Sequence, residues 1–308
     1  MSKHLGREIP KTEIPVAEAW EIVDREDAES VVENGPLAGT TLRSLIETRR
    51  DETVGEARLT PRERFPLLVK LIDAGKRLSL QVHPDEEACR KFPGAEPKTE
   101  MWYVIAAEPD ARIFAGLKSS CTRQQFIQLA STPEVEQCLQ SFKAEPGDAY
   151  FIRSGTVHAI GAGNLLLEIQ QNSDTTYRIS DWGRLGPDGK PRELHLEQAL
   201  ECVDFANRNS PRVPAVADKA DFNRKFPVVN NCTFFHVDNL LLVDSWRDNT
   251  NESVFHLLTP VDADIAVETQ GTTVEVPRGR TCLIPAACGV YKILLEGERA
   301  SVVKTIPS

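Results

Sequence analysis

The chain has 308 residues, with 36 Lys+Arg set against 46 Asp+Glu and a formal net charge of −10. That length allows two domains or one large all-β unit, and 41% hydrophobic with 27% charged residues excludes wholesale disorder. The acidic balance argues against a nucleic-acid footprint or a general affinity for anionic membranes, so cations for an anionic ligand must be clustered locally.

In chain order, Thr41-Leu-Arg-Ser-Leu-Ile-Glu sets Leu42, Leu45 and Ile46 at helical spacing behind a Thr cap, predicting a helix that closes near Asp51. The apolar run from Pro66 to Asp73, ended by Ala74-Gly75, reads as a buried strand. From there to Tyr177 the texture is β: Leu78–Val82, Met101–Ala106, Ala149–Ile152 and Leu165–Gln170 are short, rich in β-branched and aromatic residues, and separated by turn signals. A helical insertion near 122–142 interrupts them, with amphipathic runs starting at Thr122 and at Ser131/Thr132. A further helix is expected over Leu196–Phe205. The stretch after it, with two prolines and mixed charge, reads as a linker, and Phe226 to Ile306 is again short strands. Strands spaced in this way suggest jelly-roll barrels. The expected division is a catalytic barrel over 1–205, a linker over 206–225 and a second barrel over 226–308.

A faint repeat supports two barrels. Gly147-Asp-Ala-Tyr-Phe-Ile-Arg-Ser-Gly-Thr-Val-His158 aligns without gaps on Gly279-Arg-Thr-Cys-Leu-Ile-Pro-Ala-Ala-Cys-Gly-Val290, each with a proline just upstream. The second copy lacks the histidine, so the second barrel is expected to be degenerate.

The uncharged run Ser154 to Leu167 is too short and too polar to span a bilayer. The N-terminus has no apolar core of a signal peptide. The seven cysteines are scattered, with no CxxC, which suits reduced thiols in a cytoplasmic protein and leaves cysteine out of any metal site.

Only six histidines occur, so their contexts are informative. Gln81 and His83 lie two apart on a predicted strand and share a face. Glu100 opens the next apolar strand, and His158 follows the Pro146-Gly-Asp turn on a third. Amide oxygen, two imidazoles and a carboxylate would suit one Zn²⁺, with a position open for water or substrate. Taken singly, each is more often an ordinary strand residue. Glu168 is a second oddity. It interrupts Leu165-Leu-Leu-Glu-Ile, where an unpaired carboxylate would be costly, so it is either held by hydrogen bonds or works on substrate. His195 leads into a helix and reads as packing or capping.

With these residues on the page, the sequence resembles type I mannose-6-phosphate isomerase, a cupin-fold family, in its short bacterial and archaeal form. The resemblance runs from about Ala17 to Glu201. It is carried by Ser79-Leu-Gln81-Val-His83-Pro, Pro97-Lys98-Thr-Glu100-Met-Trp-Tyr, Pro146-Gly-Asp, Gly155-Thr-Val-His158-Ala-Ile-Gly and Gln170-Gln-Asn-Ser-Asp174-Thr-Thr-Tyr-Arg178, in the family's order. The cupin motif departs at Arg153, where Pro is usual.

The resemblance implies two cupin barrels and zinc-dependent interconversion of mannose 6-phosphate and fructose 6-phosphate through an enediol. It implies Gln81, His83, Glu100 and His158 as metal ligands, Arg178 as the cationic catalytic residue and Lys98 as a substrate contact. Ser79, Lys98 and Arg184 become candidates for the phosphate, and Glu168 for the proton. The expected partner is a small phosphosugar, with no nucleic acid or membrane, in a monomer or weak homodimer. The rival readings are a non-catalytic sugar- or metal-binding cupin and an isomerase of a related phosphosugar. Metal binding alone would not require Lys98, Glu168 and Arg178 together, which favours the enzyme.

Overall fold

The computed structural model describes residues 1–7, 16–185, 189–216 and 221–308. Residues 217–220, part of the expected linker, lie outside the described residues. The described chain forms two compact units, one comprising Ile72–Ala215 and the other Ala19–Leu71 with Val216–Ser308.

The strands of the first half are β1 (Glu18–Ile22), β2 (Leu67–Ala74), β3 (Leu80–Val82), β4 (Glu100–Ala107), β5 (Arg112–Leu117), β6 (Leu139–Lys143), β7 (Ala149–Ile152), β8 (His158–Ile160), β9 (Asn164–Gln171), β10 (Tyr177–Ser180) and β11 (Arg212–Val213). They form a six-stranded sheet ordered β1-β2-β9-β4-β7-β11 and a five-stranded sheet ordered β10-β3-β8-β5-β6. Mainly β structure in paired antiparallel sheets is the expected jelly-roll texture. Inward residues of both sheets, among them Trp102, Val104, Ile113, Tyr150 and Leu166, interlock as one core cluster.

The five-stranded sheet is buried on its other face too. Leu80, Val82, Phe114 and Ile179 pack there with Phe126 and Ala199 from two short helices, Arg123–Leu129 and Leu196–Cys202. Fully burying a side chain such as Phe126 contributes roughly 1.5–3 kcal/mol. The consequence for function is local. Because Leu80 and Val82 are taken by the outer layer, strand alternation turns Gln81 to the inner face.

Sequence signals account for many element ends. Thr122 caps Arg123–Leu129 with a capping box completed by Gln125, and Thr41 caps Leu42–Thr48. The second expected helix of the insertion is corrected. Pro133–Cys138 is a 3-10 helix, and from Leu139 the chain is strand β6. Pairing with β5, Leu139 opposite Leu117 and Phe142 opposite Ile113, outcompetes the local helical pattern. Within the expected linker, Arg212–Val213 is instead an edge strand on β7. The fully buried Asp148 of the Pro-Gly-Asp turn accounts for it: its carboxylate accepts from Arg212 Nε at 3.0 Å and from the Ala215 amide at 3.0 Å.

Residues 19–71 group with the later unit rather than with 72–205 as the sequence division had it. Their partners are distant in sequence: Gly55 bridges Val254, the Glu56 amide donates to the Ser253 carbonyl, and the Phe65 and Phe255 rings lie 4.5 Å apart.

That unit continues through β12 (Arg224–Val229), β13 (Phe235–Leu242), β14 (Trp246–Asn249), β15 (His256–Pro260), β16 (Ile265–Thr269), β17 (Thr272–Val276), β18 (Cys282–Ile284), β19 (Val290–Leu295) and β20 (Ala300–Pro307). Its sheets run β12-β13-β20-β15-β18 and β14-β19-β16-β17. The faint repeat is therefore structural. The run β2-β9-β4-β7 has its counterpart in β13-β20-β15-β18, and β3-β8-β5-β6 in β14-β19-β16-β17. The aligned Ile152 and Ile284 each end a strand, and the aligned His158 and Val290 each begin one.

Register carries the comparison inward. Glu100 lies opposite Ile152 and His256 opposite Ile284, so His256 stands at the position of Glu100. Trp102 pairs with Glu168, and Leu258 with Lys304, so Lys304 stands at the position of Glu168. The second interior holds its own polar set: Lys304 Nζ lies 2.5 Å from Asp248 Oδ2, and His256 Nδ1 lies 2.8 Å from Tyr291 Oη.

Burial alone would raise the Asp248 carboxyl, but the hydrogen bond and the charge of Lys304, together with the Asn249 amide, outweigh it and hold the group below its ordinary value. Such a carboxylate contributes stability above its unfolded pKa, and that contribution is lost as pH falls through the folded one. Lys304→Met should destabilise this unit by roughly 2–4 kcal/mol, somewhat below the range for breaking a fully buried pair, because Asp248 keeps 20% exposure. Urea unfolding checks it. The double variant Lys304→Met/Asp248→Leu should recover much of the loss, since no buried charge is then left uncompensated.

Candidate active site

Four strands of the two facing sheets deliver the polar groups. Gln81 comes from β3, Glu100 from β4, His158 from β8 and Glu168 from β9, while His83 lies just beyond β3. Gly155, at φ +83°, makes the turn that brings His158 in; a Cβ there would stand 2.9 Å from the Cys202 carbonyl oxygen.

His83, Glu100 and His158 converge. Their ligand-type atoms all lie within 4.8 Å of one another, and all three side chains are buried. The Glu100 Oε2 is 3.3 Å from His83 Nε2, and its Oε1 is 3.4 Å from His158 Nε2. The tautomers follow from the partners. His83 Nδ1 lies 2.9 Å from the Thr175 carbonyl and His158 Nδ1 lies 2.8 Å from the Thr156 carbonyl. A carbonyl can only accept, so both Nδ1 atoms carry hydrogen and both Nε2 atoms present lone pairs to the centre. Backbone carbonyls bracing the far nitrogen are the usual support of metal-binding histidines. Gln81 Nε2 lies 3.2 Å from His158 Nε2, and the Gln81 amide is the fourth group at the same point. A flip about its last torsion would offer the oxygen in place of the nitrogen.

This donor set fits a divalent metal ion. Two imidazole lone pairs meet a carboxylate whose Oε1 is buried without a hydrogen-bond partner, an arrangement that is costly unless a cation shares the centre. Burial pushes His158 down to about 3 and lowers His83, with the nearby Lys98 ammonium adding to the shift at His83. Both rings are therefore neutral at pH 7, as a ligand must be. Burial alone would raise the Glu100 carboxyl, but the groups around it, Lys98 first among them and then the two histidines, together hold it well below the usual carboxylate range.

Lys98 Nζ lies 2.5 Å from Glu100 Oε2, 3.1 Å from His83 Nε2 and 3.9 Å from Glu168 Oε1. Burial works against its charge, but the two carboxylates prevail and raise its pKa. Glu168 in turn accepts from Trp102 Nε1 at 2.9 Å. Ser79 is buried with its Oγ 3.5 Å from Gln81 Oε1. The structure thus gathers Ser79, Gln81, His83, Lys98, Glu100, His158 and Glu168 into one contiguous cluster.

Arg178 and Arg184 are the outer members. Arg178 lies directly opposite Gln81 in the β10–β3 register and so shares its face, while its guanidinium donates to the Glu193 carbonyl at 2.8 Å. Its Nε is buried without a partner. Arg184 donates to Asp181 and to the Arg77 carbonyl, among neither the metal-type donors nor Glu168. His195 packs rather than ligates: its Nδ1 accepts from the Arg178 amide at 3.1 Å, and its amide donates to the Arg178 carbonyl.

Sequence reasoning missed Trp102, although it lies two residues from Glu100 on the same strand and so shares its face. It also missed Arg192, which only the fold brings to Asp181.

The chain is similar to known proteins along nearly its whole length. The model for the catalytic domain of type I phosphomannose isomerase matches residues 1–113. The chain is 33% identical over 293 residues to mannose-6-phosphate isomerase ManA of Bacillus subtilis, covering 93% of this chain and 88% of that protein. A crystal structure of the mannose 6-phosphate isomerase from Bacillus subtilis superposes with a TM-score of 0.85 at 28% identity, covering 99% and 93% of the two chains. The enzyme of that name from Salmonella typhimurium shares the fold, with a TM-score of 0.77 at 16% identity over 100% and 94%. With a relative of this identity along nearly its whole length, and the match to the catalytic-domain model, the chain belongs to the type I phosphomannose isomerase family.

Proposed function

We propose that the chain is a zinc-dependent mannose-6-phosphate isomerase, interconverting mannose 6-phosphate and fructose 6-phosphate by proton transfer between C1 and C2 through an enediol. The observation that carries this reading is the pairing of the His83–Glu100–His158 donor set with Lys98 and Glu168, two buried groups of opposite charge that holding a metal would not require. His83, Glu100, His158 and, after an amide flip, Gln81 would hold the ion. A bound Zn²⁺ supplies a Lewis acid to the sugar oxygens beside the reacting carbons.

The remaining tasks fall to the chain itself. Glu168 would take the proton from one carbon and return it to the other, with its carboxylate aimed by the Trp102 N–H. Lys98 lies between the donor set and Glu168, so its ammonium would stabilise negative charge developing on the sugar oxygens. Arg178, on the same face as Gln81, would add a second fixed cation there. Ser79 and Arg184, with Lys98 nearer the reacting carbons, would take the phosphate. Core residues such as Trp102, Tyr150 and Ile152 close the inner end of the site and limit water beside the enediol.

Chelation should abolish isomerase activity and added Zn²⁺ restore it, at one metal per chain by elemental analysis. His83→Ala and His158→Ala should each lose the metal, whereas Gln81→Ala should weaken its retention less, a neutral amide being the poorest donor of the set. Full activity in the chelated protein would contradict the assignment.

Glu168→Gln should keep metal and substrate binding yet lose turnover by ~10²–10⁴-fold, the usual contribution of a general acid–base group. Uptake of solvent deuterium at C1 or C2 of the sugar phosphate reports the step directly. Exchange at the wild-type rate in that variant would move the proton to another group.

A further inference from the structure

Beside the unmatched Glu100 oxygen the first interior holds a second one. Gln170 lies directly opposite Glu100 in the β4–β9 register and is fully buried. Partners in an antiparallel pair share a face, so the two side chains enter the interior next to each other. Trp102 and Glu168 pair one step deeper on the same face of the same strands. On the far side of Glu100 the row ends in Ile152 of β7, which has no side-chain hydrogen to donate.

The orientation of the Gln170 amide follows from its partners. Its nitrogen donates to the Gln171 carbonyl at 2.8 Å and to the Ser173 carbonyl at 2.6 Å. A carbonyl only accepts, so a flipped amide would set oxygen against oxygen. Both N–H groups are thereby committed to the loop after β9. Ser173 pins that loop further, its hydroxyl donating to the Glu96 carbonyl at 2.9 Å, and the loop presents the Thr175 carbonyl to His83. The Gln170 Oε1 is left buried without a hydrogen-bond partner. Holding the loop does not account for that oxygen, because a buried acceptor is costly unless a donor reaches it. A metal ion at His83, Glu100, His158 and Gln81 would have four donors already. Gln170, on the next strand, calls instead for an O–H.

We propose that Gln170 is a substrate-binding residue whose Oε1 accepts a hydrogen bond from the sugar hydroxyl on C3 or C4. This deepens the isomerase reading and rests on it for the identity of the sugar. C1 and C2 carry the reacting oxygens, C5 the oxygen that closes the ring and C6 the phosphate, whereas the hydroxyls on C3 and C4 have none of these tasks. An acceptor locked by two backbone carbonyls needs no further ordering when the sugar arrives. A sugar without the hydroxyl would leave the oxygen unmatched, which is how a hydrogen-bonding site rejects such an analogue.

The test sets mannose 6-phosphate against its 3-deoxy and 4-deoxy analogues, by kcat/KM and by calorimetric Kd, on the metal-loaded wild type, Gln170→Met and Gln170→Glu. Both variants lose the N–H groups that hold the loop, but only glutamate keeps an acceptor oxygen. In wild type one analogue should be ~5–100-fold poorer than the parent sugar, the range for leaving a buried acceptor unpaired. Gln170→Met should bring that ratio close to one, and Gln170→Glu should retain it. Equal losses on parent and analogues in both variants would keep the wild-type ratio and overturn the proposal, marking Gln170 as a support of the loop alone. A wild type that accepts both analogues as well as the parent would overturn it without recourse to any variant. Discrimination lost as fully in Gln170→Glu as in Gln170→Met would also overturn it, since the acceptor is still present there. Binding of mannose 6-phosphate without turnover in wild type would instead overturn the isomerase reading, and the Kd ratios alone would then decide the contact.

Discussion

The first unit is organised around one unfavourable act, the burial of the Glu100 carboxylate between two sheets. Removing such a charge from water is costly unless it is matched at close range. The fold supplies part of the match through Lys98, two residues upstream on the same face, and sets against the other oxygen two imidazoles whose lone pairs, fixed by backbone carbonyls, point to the same centre. Each partner is then constrained in turn. Lys98 must lie near Glu100, which brings its ammonium within 3.9 Å of Glu168. Glu168 must also be satisfied, and Trp102 from the adjacent strand provides the donor. The site is thus a chain of compensations running inward from one carboxylate, and most of its members are groups with which proton transfer can be carried out.

The outer layer serves the same end. Covering the far face of the five-stranded sheet with the helices at Arg123–Leu129 and Leu196–Cys202 lets β3 bury Leu80 and Val82 there. Gln81 is then left facing inward opposite His158, with Arg178 across the next register. Without that apolar cover the alternation of β3 would have no preferred direction, because a one-residue slip exchanges the faces. His195 adds a pin, holding the backbone of Arg178 from the first residue before its helix. Packing remote from the chemistry therefore decides which side chains meet.

Much of this was legible in the sequence because strand periodicity is local. Gln81 with His83, and Lys98 with Glu100, share faces by spacing alone, and both pairs converge in the structure. The capping box at Thr122 and the turn at Pro146-Gly147-Asp148 were equally local. What was illegible depended on partners far along the chain. Leu139–Lys143 has a helical pattern, yet it is strand because β5 offers a ladder. Residues 19–71 carry no mark of grouping with the later unit, since Gly55 finds Val254 only after folding. Arg192 carries no local signal either, since its partner Asp181 lies eleven residues upstream.

The two units show how narrow the margin is between a working interior and a merely stable one. Their strand orders correspond, and register sets Lys304 where the first unit has Glu168 and His256 where it has Glu100. In the second unit the carboxylate of Asp248 is neutralised by a lysine of the same chain, and burial drives His256 down to about 4, leaving it neutral against Tyr291. The polar set of that interior thus carries its own counterion. In the first unit Lys98 is shared between Glu100 and Glu168, and the Glu100 Oε1 stays buried without a hydrogen-bond partner, facing imidazole lone pairs. An exogenous cation is what such an interior favours. The second interior differs at each of these positions, with His256 for Glu100, Lys304 for Glu168 and Val290 for His158, and among the described residues it is left without the convergent carboxylate and imidazole pair that suits a metal ion.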